Sequence, residues 1–243
     1  MIGHPQLNSG NRLPARILYF LLLAGLLSSC IPHLTSTPVI EPAQLPAGFP
    51  DNEYQRSAAS GAKVLRIDTH NSLIKIIVHR GGALARLGHD HVVASHDVAG
   101  WVDMDAGRAD LYIPLAKLSV DEASLRAEAK FTTQPSAGAI EGTRNNMLEK
   151  VLEAAQYPFA LVHIERMTID SSRLSVTITL HGTTKSFEVP VKVERIAENF
   201  TFNGQLSFKQ TDFGITPFSI LGGALQVEDL LDFQFNIMAG AMR

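Results

Sequence analysis

The chain has 243 residues, 45% of them hydrophobic, and its 21 Lys and Arg against 24 Asp and Glu leave a formal net charge of −3. This balance excludes a chain disordered throughout and a nucleic-acid binder working by bulk charge, and the length predicts one domain with a sizeable core plus appendages. The single cysteine, Cys30, excludes a disulfide framework, a Cys-x-x-Cys redox pair and a thiolate zinc site, so any metal would rest on His and carboxylates.

At the N-terminus, Arg12 and Arg16 precede the eleven-residue apolar run 17–27, which leads into Leu27-Ser28-Ser29-Cys30. A helix of that run is about 16 Å long, roughly half the hydrocarbon thickness, which reads as a signal peptide and not a membrane span. Its ending is similar to the lipobox of bacterial lipoproteins. That resemblance implies cleavage before Cys30 and acylation of its thiol and new α-amine; the alternative is an ordinary signal peptide with an incidental cysteine. On the lipoprotein reading residues 1–29 are removed, leaving 19 basic against 24 acidic side chains and a net charge of −5. Attachment to the membrane is then lipidic, since several acyl chains at about 0.8 kcal/mol per buried CH₂ anchor a protein without a spanning helix. Ile31 is not the Asp associated with inner-membrane retention in familiar lipoprotein sorting. The expected location is therefore the bacterial cell envelope, lipid-anchored on the periplasmic face of the outer membrane. Residues 30–61 carry Pro32, Pro38, Pro42, Pro46 and Pro50 without a hydrophobic period, and are expected to form a tether spanning on the order of 30 Å.

The body, residues 62–243, is dominated by alternation with period two. Strand candidates run over 63–69, 72–80, 91–104 and 109–119. Asp121 to Lys130, rich in Ala, Glu and Leu, and Ile140 to Gln156, with Met147, Leu148, Val151, Leu152 and Ala155 on one stripe, interrupt the pattern as helices, the second stopping before Pro158. Strand character resumes over 159–169. Leu174, Val176, Ile178 and Leu180 alternate with polar residues, as do Phe187, Val189, Val191 and Val193. Phe200, Phe202, Leu206 and Phe208 follow, then Leu231, Phe233, Phe235 and Ile237. The predicted fold class is all-β with helical insertions: a closed antiparallel, lipocalin-like β-barrel of about eight strands, whose closure removes the exposed edges.

Several ordered motifs resemble the YceI-like family of lipid- and polyisoprenoid-binding, lipocalin-like barrels. They are Ile67-Asp68-Thr69-His70-Asn71-Ser72 followed by Leu73, Ile77 and His79; Gly100-Trp101-Val102; Leu118-Ser119-Val120; Met147-Leu148 then Tyr157-Pro158-Phe159; Leu180-His181-Gly182-Thr183-Thr184-Lys185; and Asp212-Phe213-Gly214-Ile215 then Val227-Glu228-Asp229. The chain departs from the family pattern at Lys75, where Phe is frequent, and over Gly81 to Val92. The resemblance implies an apolar cavity for a long isoprenoid or other lipid tail, acting as carrier, sensor or sink, with no cofactor required beyond the lipid itself. Periodicity alone leaves a filled and a hollow barrel equally open. If hollow, the candidate lining residues are Leu73, Ile77, Leu111, Ile113, Phe159, Phe200, Phe202 and Phe213.

Five of the nine histidines, His70, His79, His89, His91 and His96, fall within 27 residues. In a strand His89 and His91 share a face with Cα atoms about 6.6 Å apart, close enough for both rings to reach one metal ion, while Asp90 points the other way. A third ligand would come from His79, His96 or Asp97. Two other readings stand beside the metal: capping of backbone groups in a turn, and contact of His79, His89 and His91 with a lipid head group at the cavity mouth. The chain has no Gly-x-Ser-x-Gly, His-Glu-x-x-His or phosphate-loop motif. The enzyme alternative is accordingly a His-liganded, metal-dependent envelope enzyme using His89 and His91. A structural adaptor would instead predict a filled barrel and a large exposed apolar patch.

Overall fold

The alternating segments become a wall of antiparallel strands that closes on itself in the computed structural model, which describes residues 45–241. The expected signal peptide, Cys30 and the first part of the proline-rich stretch lie outside the described residues. Three positions in the wall are each filled by two consecutive short strands: β1 (Val64–Ile67) and β2 (Leu73–Val78), β4 (His91–Ser95) and β5 (Ala99–Asp103), β6 (Arg108–Pro114) and β7 (Ser119–Val120). The remaining positions are β8 (Phe159–Glu165), β9 (Arg173–Leu180), β10 (Thr183–Ile196), β11 (Asn199–Lys209) and β14 (Leu230–Ala241). The order is β1-β5-β6-β8-β9-β10-β11-β14, and β14 pairs back to β1, closing an eight-stranded ring. On its free side β14 meets β2 through Asp232–Asn236 and β1 through Ala239–Ala241, so the bent first strand is held along both halves. A second small sheet joins β3 (Arg80–Gly81), β13 (Leu225–Val227) and β12 (Ser219–Ile220).

Local chemistry explains the turns. β9 and β10 are joined by His181 and Gly182 at φ of 51° and 72°, the left-handed pair that a two-residue hairpin requires. At Gly100, φ is 145° and a Cβ would stand 2.1 Å from the Asp110 carbonyl oxygen, so only glycine lets β5 approach β6 there.

Among the described residues, three α-helices sit outside the strand wall or over its end. Helix α1 (Asp51–Ala59) corrects the expectation of a tether running to residue 61. Its Tyr54 is completely buried, stacked on Trp101, while Asp51 accepts a 2.7 Å hydrogen bond from the Trp101 indole. The Tyr54 hydroxyl donates to Asp110 Oδ2 at 2.7 Å; burial first, and then this carboxylate, push its pKa far up, so the phenol keeps its proton. Pro50, at the N-cap, is compatible with a helix start, so proline density gave no sign of the docked helix behind it.

Helix α2 (Ala123–Glu128) is shorter than the expected 121–130 segment and packs Leu125 on Val92 and Ala94 of β4. Lys75 of β2, buried in this contact, reaches Glu128 at 2.5 Å. Helix α3 (Ala137–Asn146) begins earlier than expected, where Ser136 caps the Ala139 N–H, and continues into a single π-helical turn over Met147–Val151.

Replacing Tyr54 by Phe should cost about 2 kcal/mol, since it leaves the part-buried Asp110 carboxylate without one donor. Tyr54→Ala should cost about 4 kcal/mol by adding a cavity. Urea unfolding of the two variants checks both values, and a tether without structural role would predict no change.

Candidate functional site

Period-two alternation on a closed ring sends one side-chain set inward from every strand. Here that set includes Ile67 of β1, Ile74, Ile76 and Val78 of β2, Val93 of β4, Val102 of β5, Leu111 and Ile113 of β6, Ala160, Val162 and Ile164 of β8, Val176, Ile178 and Leu180 of β9, Val189 of β10, Phe202, Leu206 and Phe208 of β11, and Phe233, Phe235 and Ile237 of β14. Most are Val, Ile, Leu or Ala, and they leave a cavity of about 400 Å³ between them. That volume is within the range of small-molecule sites, roughly 300–1,000 Å³.

The two ends of the ring differ. At one, Phe200, only 1% exposed, packs into the core with the Lys63 ammonium 4.7 Å from its ring centre. At the other, the π-helical turn contributes Met147 and Val151, and the small sheet contributes Ile220, Leu225 and Val227 to the cavity wall. His79, with a half-exposed side chain, and Ile220, which is 45% exposed, are both wall residues, so the cavity reaches the surface beside them. The segment that departs from the family pattern, Gly81 to Val92, builds this mouth. Its Leu84 N–H donates to the Ala224 carbonyl at 2.7 Å, and Gly82, at φ of 88°, has no room for a Cβ, which would stand 2.5 Å from that same oxygen.

Polar atoms are concentrated at the mouth. His79, Arg80, His89 and His91 all line the cavity. His91 Nδ1 lies 2.6 Å from Asp121 Oδ2, and Asp121 is fully enclosed. Burial works to raise the Asp121 carboxyl, but hydrogen bonds from His91, the Val92 N–H and Arg126 outweigh it and hold its pKa below the ordinary carboxylate value. Asp121 itself has φ of 58°, a left-handed conformation that Asp tolerates. Asp90 turns away from the histidines beside it, accepting the Arg80 N–H at 3.0 Å. His89 Nδ1 is buried with no hydrogen-bond partner.

Of the expected lining residues, Leu111, Ile113, Phe202, His79, His89 and His91 stand on the wall. Leu73 and Ile77 do not: they face outward under α2, and their neighbours Ile74, Ile76 and Val78 take the inward places. Strand β2 carries apolar residues on both faces because α2 covers the outer one, where Leu73 and Ile77 flank Lys75, and that lysine is the local mark of the outward face. The predicted helix over 121–130 was the other available signal, since an amphipathic helix must rest on an apolar outer face. Phe159 also faces outward, edge-on to Tyr112. Phe200 belongs to the buried core cluster, and Phe213 packs behind Phe208 with ring centres 4.8 Å apart; neither is on the cavity wall.

The histidine cluster separates in space. His96 pairs with Glu122 at 3.0 Å, half exposed, and His70 sits in an exposed turn. Among the described residues no three His, Cys, Asp or Glu side chains are gathered as a metal site, so the set His79, His89, His91 and His96 is not assembled as ligands.

The fold has solved counterparts. A polyisoprenoid binding domain from Saccharophagus degradans, implicated in plant cell wall breakdown, superposes with a TM-score of 0.53 at 16% identity, covering 73% of this chain and 98% of that one. Burkholderia cenocepacia BcnA gives a TM-score of 0.53 at 15% identity, covering 71% and 98%. Among curated proteins none matches the chain. Residues 66–239, nearly the whole barrel, match the YceI-like domain, and the chain belongs to that family.

Proposed function

We propose that the cavity binds one long apolar lipid of the polyisoprenoid class, and that the protein serves as a carrier, sensor or sink for it in the bacterial envelope. The observation that carries this is the interior itself: a space of about 400 Å³ lined predominantly by aliphatic and aromatic side chains, with His79, Arg80, His89 and His91 at its mouth. Such a lining gives water few partners, whereas an alkyl chain gains about 25 cal/mol for each Å² of apolar surface withdrawn from water. The Saccharophagus degradans domain, described as polyisoprenoid binding, supports the choice of lipid. Neither a metal nor a further cofactor enters this reading. Acylation of Cys30 would keep the barrel beside the bilayer from which its lipid comes.

Filling the cavity tests the binding. Val162, on β8, points into it, and Val162→Trp should lower uptake of a fluorescent prenyl lipid at least about tenfold, while Tm stays the same or rises because the added ring occupies empty space. Unchanged uptake with the fold intact would place the lipid elsewhere or nowhere. Attachment is tested separately. Cys30→Ser, expressed with its full leader, should lose incorporation of labelled palmitate and move from the membrane to the soluble fraction; retention of both label and membrane association would contradict acylation at this residue.

A further inference from the structure

The head-group end of the cavity carries chemistry that an apolar tail does not use. His91 meets Asp121 through Nδ1 at 2.6 Å, and the same carboxylate takes the Val92 N–H at 3.1 Å and Arg126 Nη1 at 2.5 Å. An ionised carboxylate can only accept, so an imidazole that carries one ring proton holds it on Nδ1 and donates it to Asp121. Its other nitrogen, Nε2, is then left as a bare acceptor on a ring that lines the cavity. Arg126 and the Val92 N–H lock the carboxylate in place, so the tautomer is built into the fold and not chosen by the ligand. Beside it, His89 also lines the cavity, with its ring centre 6.4 Å from that of His91 and a buried Nδ1 that has no partner.

Charge narrows the class of head group. The two guanidinium groups nearest the histidines already have carboxylates beside them: Arg126 with Asp121 at 2.5 Å, and Arg80 with Asp90 at 3.8 Å. A phosphate would therefore meet balanced charge, and it would lie close to two anions. A hydrocarbon end, an ether or an ester gives His91 Nε2 no proton. A hydroxyl supplies that proton, and its oxygen can also face the neighbouring His89 ring, which lines the same end of the cavity.

We infer that His91, oriented by Asp121, together with His89 forms a head-group subsite selecting a hydroxyl-terminated isoprenoid, the hydroxyl donating to His91 Nε2. This rests on the cavity reading above and adds the chemistry of the lipid's polar end. In this arrangement His91 and His89 are binding residues, while Asp121 and Arg126 are positioning residues.

The test compares three ligands with one tail: geranylgeraniol, its methyl ether and its monophosphate, each titrated into the folded protein. The alcohol should bind about tenfold tighter than the ether, and tighter than the monophosphate. In His91→Phe, with folding checked by circular dichroism, the preference of alcohol over ether should fall to within about twofold while the affinity for the ether changes less than about threefold. The comparison in the unmodified protein stands alone if that variant fails to fold. Equal binding of alcohol and ether would overturn the subsite and leave the cavity reading standing, as would tightest binding of the monophosphate. If none of the three bound, the cavity reading would fall and the subsite with it.

Discussion

The return of β14 to the first strand is the constraint on which the rest of the molecule depends. Leu65, Arg66 and Ile67 pair with Ala241, Gly240 and Ala239, and the ring has no open edge there. Once closed, each strand commits alternate side chains to an interior shielded from water, and those side chains must be apolar or paired. An eight-stranded ring is only just wide enough to matter: bulky inward residues fill it, and shorter ones leave room. Ala160, Val162, Val93 and Val176 are of the shorter kind, and the void they share is what a lipid would occupy.

Closure also governs the outside. Where helices cover the wall, the strands beneath are apolar on both faces, and polar groups are admitted only with a partner. Tyr54 is tied to Asp110, Lys75 to Glu128, and Asp121 to both Arg126 and His91. The last of these pairs spans wall and mouth: a carboxylate fixed beneath the strands sets the hydrogen-bonding character of a ring that faces the cavity.

Much of this was legible in the sequence, for a physical reason. Strands wet on one side and dry on the other announce their parity, and β9, β11 and β14 appear with the inward sets that alternation gives: Val176, Ile178 and Leu180; Phe202, Leu206 and Phe208; Phe233, Phe235 and Ile237. Alternation fails where both sides are covered. In β2 both faces carry apolar residues, and only Lys75, which shares a face with Leu73 and Ile77, separates them locally from Ile74 and Ile76; α2 covers that face. Helix α1 was hidden by the prolines before it, since a helix of nine residues held chiefly by Tyr54 against Trp101 and Asp110 draws its stability from tertiary contact and not from propensity. Phe200 and Phe213 show the same limit from another side, for an apolar residue can be fully buried without touching the cavity. His89 and His91 share a face as the spacing predicts, yet their role follows from Asp121, thirty residues beyond His91, which no local pattern connects to them.

The most direct test of the central claim is native mass spectrometry of the protein purified from its native host under gentle conditions. The account predicts one isoprenoid lipid per chain, released by organic extraction and taken up again from solution. A bare polypeptide mass, with no uptake of prenyl lipids afterwards, would contradict it.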